Sequence, residues 1–240
     1  MIAIKPTEQV FVLTGAGISA ESGIPTFRGS GGLWEEYRIE DLASPAAWTR
    51  NPELVWRFYS WRREVAAACE PNPGHAALAA LEQKLGDRLL LCTQSVDDLH
   101  EKAGSKRVMH MHGRLFQSRC ESERCQTTPF NDRGTYRTLS EIPRCKCGAR
   151  VRPHICWFGE VPFQLEEIFS ALARCHLFIS IGTSGVVEPA ASFVRQVRGR
   201  RGTRTYYVGP EEPANSSLFD ECCWGRAGET LPQLLGAHQL

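Results

Sequence analysis

Three groups of residues in this 240-residue chain have the types and spacing for chemistry. The first is Gly15-Ala16-Gly17-Ile18-Ser19-Ala20, which follows the apolar run Val10-Phe11-Val12-Leu13. This is a G-x-G-x-x-[GA] pattern directly after a strand-like run, with helix-compatible residues behind it. Gly15 suits a tight turn, Gly17 lets backbone N–H groups approach a pyrophosphate, and the helix N-terminus that follows favours negative charge. The pattern reads as a dinucleotide site; a Gly-rich strand-to-helix turn without a ligand is the plainer alternative. A hydride-transfer site of this kind carries an acidic residue about 20 residues on, closing a second strand. Here that region reads Gly31-Gly32-Leu33-Trp34-Glu35-Glu36-Tyr37, which is no strand end. Ser22 to Gly29 is instead a Gly/Pro loop carrying Phe27 and Arg28, one aromatic and one fixed cation, suited to cover a phosphate-rich ligand.

The second group is Val108-Met109-His110-Met111-His112-Gly113. The histidines alternate with apolar residues, so in a strand both point the same way. An imidazole near neutral pKa can take a proton from a hydroxyl, while a structural histidine is the plainer reading. The third group is Cys120-x4-Cys125 and, after nineteen intervening residues, Cys145-x-Cys147. Two close pairs fit a tetrahedral zinc site with four thiolates, which leaves no open position for chemistry and is therefore structural. Neighbouring Arg and Lys favour the thiolates. Two redox-sensitive thiol couples or a nucleic-acid zinc ribbon are the alternatives, the second opposed by the near-zero net charge.

These groups need elements to position them. Ile39 to Cys69 reads as helical, with Pro45 and Pro52 where helices start. Leu54, Val55, Phe58, Trp61 and Val65 form an apolar stripe, and Tyr59 and Arg62 lie three apart beside it. On spacing alone these two are a surface pair on an amphipathic helix. Asn72-Pro73-Gly74-His75 caps a helix that stops at Gly86, and His75 reads as structural. Leu89 to Thr93 is the next strand, and Gln94, Ser95 and Asp97 follow it. Leu177 to Ile181 is another, running into Gly182-Thr183-Ser184-Gly185. Pro189 opens a helix through Val197, and Thr203 to Val208 is a further strand. Strand, helical excursion, helix and strand suit a parallel sheet carrying an insertion, and ligands sit at the C-terminal ends of such strands.

A formal charge of +1 gives no reason to expect nucleic acid or a membrane surface as partner. No apolar run approaches the roughly 20 residues that span a bilayer, and the first strand comes too soon for a signal peptide. Of the ten cysteines, Cys69, Cys92, Cys156 and Cys175 sit in apolar contexts as core thiols, and Cys222-Cys223 carries no assigned role. The expectation is a reducing, cytoplasmic compartment and a monomer.

Over Gly15 to Trp34 the chain closely resembles the NAD-binding segment of the sirtuins, the NAD-dependent protein lysine deacylases. The resemblance continues to about Leu235. It implies an α/β fold: a Rossmann-like parallel-sheet NAD domain (1–31, 74–115 and 153–240) with a smaller zinc-binding and helical domain inserted (32–73 and 116–152). The implied cofactor contacts are Gly15, Ala16, Gly17, Glu21, Thr26, Phe27, Arg28, Trp34, Gln94, Ser95, Asp97, Gly182, Thr183, Ser184 and Ala227. His112 of the His-Gly pair would be the general base, with His110 the alternative, and Cys120, Cys125, Cys145 and Cys147 would hold one structural zinc. Cys156, Trp157, Phe158, Gly159 and Glu160 match the segment that pairs with an extended substrate peptide by strand addition, its aromatic pair walling the lysine channel. In the branch that removes succinyl and malonyl groups, a Tyr-x-x-Arg pair lines the acyl pocket. Tyr59 and Arg62 match it, and Ala43 matches a small residue that keeps the pocket roomy.

The implied reaction transfers the acyl group of succinyl-, malonyl- or acetyl-lysine to ADP-ribose and releases nicotinamide. Three positions depart from the family. Ser95 stands for an Asn that helps orient the ribose and a water, Cys156 for a frequent Val, and Val208-Gly209-Pro210 lacks an Asn that contacts the adenosine ribose. The first and third keep a mono-ADP-ribosyltransferase or a catalytically weak NAD sensor open as rivals. The missing acidic residue disfavours a dehydrogenase.

Overall fold

The computed structural model describes residues 1–26 and 37–236. In chain order the elements are β1 (Val10–Thr14), α1 (Pro45–Arg50), α2 (Pro52–Ala67), α3 (Pro73–Leu85), β2 (Leu89–Thr93), α4 (Leu99–Lys102), β3 (Val108–His110), β4 (Gly113–Cys120), β5 (Phe130–Asn131), β6 (Val151–Ile155), α5 (Leu165–Arg174), β7 (Leu177–Ile181), α6 (Phe193–Val197), β8 (Arg204–Gly209), β9 (Glu221–Trp224) and α7 (Ala227–Leu235). Six strands form one parallel sheet in the order β3-β2-β1-β7-β8-β9. Strand order reverses between β1 and β7, which is the switch point where open α/β sheets bind ligands.

The period-2 alternation of β1 divides its side chains between two cores. Val10 and Val12 join Leu78 and Leu81 of α3 and Leu231 of α7 on one face. Phe11 and Leu13 join Ile168 of α5 and Phe193 and Val197 of α6 on the other. Local signals set the helix starts. Ser44 accepts from the Ala47 N–H (3.2 Å) ahead of α1, and Asn51 from the Leu54 N–H (3.0 Å) ahead of α2. Asn72 accepts from the Gly74 N–H (2.9 Å) and donates its own N–H to His75 Nδ1 (3.3 Å), a reciprocal cap for α3.

The inserted unit contains a three-stranded antiparallel sheet, β5-β4-β6, which the sequence pattern did not reveal. Its strands run across 115/116 and 152/153, the boundaries expected from the sequence. The third core gathers here, with Trp48, Trp56, Phe58, Tyr59, Phe116, Val151 and Trp157. Two indoles satisfy their N–H groups across it: Trp56 donates to the Val151 carbonyl (3.0 Å) and Trp48 to Glu121 (2.8 Å). Strand β9 was also missed, and the Cys222-Cys223 pair belongs to it. Cys69, Cys92 and Cys175 are buried as expected, whereas Cys156 is only half-buried and is not a core thiol.

Arg63 fastens α2 to this small sheet. Its guanidinium, 1% exposed, donates to the carbonyls of Leu115 (2.8 Å), Gly134 (2.6 Å) and Gln117 (3.2 Å) and to Ser118 Oγ (3.0 Å). It also pairs with Asp132 at 3.2 Å and lies over the Trp56 ring. Positions 56, 59 and 63 share one helix face, so this arginine extends the buried Trp56–Tyr59 line rather than the solvent face. Removing one partner of a buried pair strands the other. Arg63→Met should therefore lower unfolding free energy in urea by about 3–5 kcal/mol; a loss under about 1 kcal/mol would show that the pair does not hold the unit together.

Candidate functional site

The site begins where β1 and β7 end. The Gly15 N–H donates to the Ile181 carbonyl (2.9 Å) and the Gly17 N–H to the Gly182 carbonyl (3.0 Å). A Cβ on Gly15 would lie 2.5 Å from the Gly182 oxygen, and one on Gly17 would lie 2.6 Å from it. This corrects the expected reason for both glycines. Gly15 has φ −107°, which any residue adopts, and the Gly15 and Gly17 N–H groups are taken up by the last carbonyl of β7 and the one after it. Glycine is needed because two backbones meet with no room for a side chain. A 3-10 segment, Ala16–Ser22, takes the place of the expected α-helix.

Beneath this seam lies a buried polar network. Ser19 Oγ donates to Asp97 Oδ2 (2.9 Å), Ser95 Oγ donates to the same oxygen, and the Leu99 N–H donates to Oδ1 (3.1 Å). Ser95 thus directs its hydroxyl at Asp97. His75 Nδ1 accepts from the Asn72 N–H, which leaves Nε2 to face Ser19 Oγ at 3.4 Å. Thr14 Oγ1 donates to Thr93 Oγ1 (2.8 Å) and lies 3.0 Å from His100 Nε2. Burial is the main cause that pushes His75 down to about 4 and His100 to about 3, so both rings are neutral near pH 7. His75 is structural as expected; His100 gave no signal in the sequence.

Other expected cofactor contacts gather around the same edge. The Gln94 N–H donates to the Thr14 carbonyl (2.8 Å), and Thr183 Oγ1 lies 2.9 Å from Ser180 Oγ. The Glu21 carboxylate accepts from the Gly228 N–H (2.7 Å), which ties the 3-10 segment to the first turn of α7 beside the buried Ala227. Ala16, at the start of the 3-10 segment, and Ser184 and Thr26, on loops, are half-buried. Phe27, Arg28 and Trp34 lie outside the described residues.

The two histidines of the second group part company. β3 ends at His110, and Met111-His112 form a turn, so the shared strand face expected for them does not exist. His110 is buried, with Nε2 on Glu101 at 2.8 Å. His112 is half-buried, and its Nδ1 lies 3.2 Å from the Gln94 carbonyl. That contact fixes the proton on Nδ1 and leaves Nε2 as an acceptor. Burial lowers the His112 pKa, opposed in part by the Gln94 carbonyl. Its own carbonyl accepts from the Cys156 N–H (2.9 Å). Gly113 follows with φ +87°, and a Cβ there would lie 2.1 Å from the His154 oxygen.

The inserted unit supplies the opposite wall. Tyr59 (1% exposed) and Arg62 (9%) are buried, not a surface pair. Tyr59 Oη accepts from Trp157 Nε1 (3.0 Å), and burial pushes the phenol up to about 12, so it keeps a proton to donate. Arg62 borders a recess shared with Ile24, Pro25, Trp61, Val65 and Asp97. The Ala43 carbonyl accepts from the Phe158 N–H (3.0 Å). Two expected substrate contacts have side-chain partners within the fold. Trp157 is 2% exposed and packs against Trp48 and the Arg152 guanidinium, so of the aromatic pair only Phe158, 43% exposed, is open to a channel. Glu160 holds Arg152 with both oxygens (2.7 and 3.0 Å), pairs with Arg119 (3.2 Å) and accepts from the Trp157 N–H (2.8 Å). Its carboxylate therefore shapes the turn at Gly159.

The four expected cysteines converge, with all sulfurs within 4.8 Å of one another. Cys120 and Cys147 are 3.5 Å apart, and Cys125 and Cys145 are 3.6 Å apart. Zn–S bonds of about 2.3 Å in a tetrahedron require S···S spacings of about 3.8 Å, so the donor set fits one structural zinc. The Cys147 N–H is the main cause that draws Cys145 down to about 6, while burial pushes Cys120 up to about 12. A bound Zn²⁺ makes all four thiolates.

Comparison with known proteins agrees with this geometry. The Sir2 family model matches residues 15–189. An NAD-dependent protein deacylase of Pasteurella multocida (strain Pm70) is 48% identical over 95% of this chain and 96% of its own length. One of Caulobacter vibrioides is 47% identical over 93% and 94%. Among solved structures, a Sir2 homologue in complex with NAD superposes with a TM-score of 0.87 at 41% identity, covering 98% of this chain and 91% of that one. A Sir2 protein with a deacetylated peptide and 3′-O-acetyl-ADP-ribose has a TM-score of 0.81 at 30% identity, covering 95% and 92%. From the glycine seam to the four-sulfur cluster, this chain belongs to the Sir2 family.

Proposed function

We propose that this chain is an NAD-dependent protein lysine deacylase that prefers acyl groups ending in a carboxylate, succinyl and malonyl, and also removes acetyl. The deacylase class agrees with its relatives, which carry that name at 46–48% identity over nearly the whole chain. The acyl preference is supported by one observation: a buried phenol and a buried guanidinium on one helix face, Arg62 at the edge of a recess otherwise lined mainly by apolar side chains. A phenol O–H and a guanidinium together suit a carboxylate, and in an apolar setting a charge-assisted bond counts for more than in water. Acetyl-lysine offers that pair nothing to hold.

NAD, when bound, supplies the ribose carbon and hydroxyl to which the acyl group passes as nicotinamide leaves. Everything else is done by the chain. His112 keeps Nε2 unprotonated and takes the ribose hydroxyl's proton there. The Cys156–Gly159 segment lays the peptide down by strand addition, the turn held by Glu160 and Arg152. Cys120, Cys125, Cys145 and Cys147 hold zinc away from the chemistry and stiffen the unit that carries β4 and β6. No helix among the described residues is long and apolar enough to cross a membrane, and the proposed setting is cytoplasmic and monomeric.

Two measurements test this reading. Matched succinyl-, malonyl- and acetyl-lysine peptides, followed by mass spectrometry with and without NAD, should show the acidic acyl groups removed first. Arg62→Met should cut kcat/KM for succinyl-lysine at least about tenfold, the size of one charge-assisted bond, while changing deacetylation far less; an unchanged ratio rules the pair out as the specificity element. The second is the pH profile. Burial holds His112 below the ordinary 6.5 of histidine, so the base stays neutral on mild acidification. The acid limb of kcat/KM should fall below pH 6.5; a limb centred above that value would contradict a neutral, buried base.

A further inference from the structure

The turn after β8 is organised around one buried phenol. Tyr207 sits two positions before Gly209 on β8 and is 2% exposed. Its ring is held between Phe219 (centroids 5.6 Å apart) and Trp224 (6.0 Å). The phenol reaches so far along the strand that a Cβ on Gly209 would lie 2.3 Å from Tyr207 Oη and 2.7 Å from Cζ. Glycine at 209 and tyrosine at 207 are therefore one arrangement, because a side chain at 209 would displace the phenol.

The hydroxyl donates to the Glu211 carbonyl at 2.9 Å and reaches the Thr183 carbonyl at 3.3 Å. Thr183 belongs to the turn after β7, and Glu211 to the turn after β8. Backbone bonds draw in their neighbours: Gly182 N–H to Val208 O (2.8 Å), Ala214 N–H to Ser184 O (3.0 Å) and Gly225 N–H to Gly209 O (3.1 Å). Three turns at the C-terminal ends of β7, β8 and β9 thus meet around one phenol, beside the switch point where ligands of such sheets bind. A two-torsion aromatic side chain clamped by two other rings loses little freedom in doing this.

We propose that Tyr207 is a positioning residue for the adenosine end of NAD. Its one proton, given mainly to the Glu211 carbonyl and shared with the Thr183 carbonyl, holds the turn after β8 against the Gly182–Gly185 turn. The inference rests on the NAD-dependent reading above. Tyr207→Phe keeps the ring packing and removes only the hydroxyl. Its Kd for NAD by calorimetry and its KM for NAD should rise about threefold to tenfold, the range of one hydrogen bond. Its kcat and its KM for acyl peptide should stay within about twofold. Gly209→Ala, which pushes the phenol aside, should raise the NAD Kd in the same direction. A Tyr207→Phe protein whose NAD Kd is unchanged, whatever its thermal midpoint, overturns the proposal, as does a kcat that falls in step with affinity. If the unaltered chain bound no NAD at all, the NAD-dependent reading itself would fail rather than the role of Tyr207.

Discussion

The constraint on which the site depends is the closeness of two backbones at the switch point. Gly15 and Gly17 come so near Gly182 that a methyl group on either glycine would meet its carbonyl oxygen within 2.6 Å. The contact runs both ways, since a Cβ on Gly182 would lie 2.6 Å from the Ile18 nitrogen. With no side chains between them, the loops after β1 and β7 become one surface. Ser19 is then carried over Asp97, and the turn at Thr183 is set beside Gln94. His75 and His100 in the network below stay neutral, because both are too buried to take protons.

The inserted unit is held by buried cations that each make several bonds. Arg63 serves α2 and β4 together, and Arg152 serves β6 and the turn at Gly159. Leaving such a group without partners costs far more than the bonded pair contributes net, so these residues act as specifiers of geometry. Both meet carbonyls or carboxylates of the fold.

Much of this was legible from the residues. The parallel sheet, the helical excursion and the four-sulfur cluster follow from apolar runs, proline and asparagine caps, and cysteine spacing. What escaped has physical reasons. β9 is a short edge strand whose residues are half-buried or exposed, so it lacks the apolar run that marks an inner strand. β4 and β5 alternate with polar and charged residues that pair within the small sheet. Nothing marked Arg63 as a core residue or Glu160 as a partner of Arg152, because charge in a sequence carries no sign of burial. Tyr59 and Arg62 were placed on a surface by spacing alone, although the same helix face continues through Trp56 and Arg63 into a core. The strand phase assigned to His110 and His112 failed because the chain turns at Met111, and the positive φ of Gly113 is visible only in the folded backbone.

One contact sets how freely this protein can change over generations. The peptide group that follows His112 is bonded to the one that precedes Cys156, main chain to main chain, at 2.9 Å. No side chain takes part, so replacing the residue at 156 leaves the link intact. The turn that carries His112 and the segment that begins at Cys156 are joined by a fastening that replacement of either side chain does not loosen. Val in place of Cys at 156 would leave the imidazole where it is.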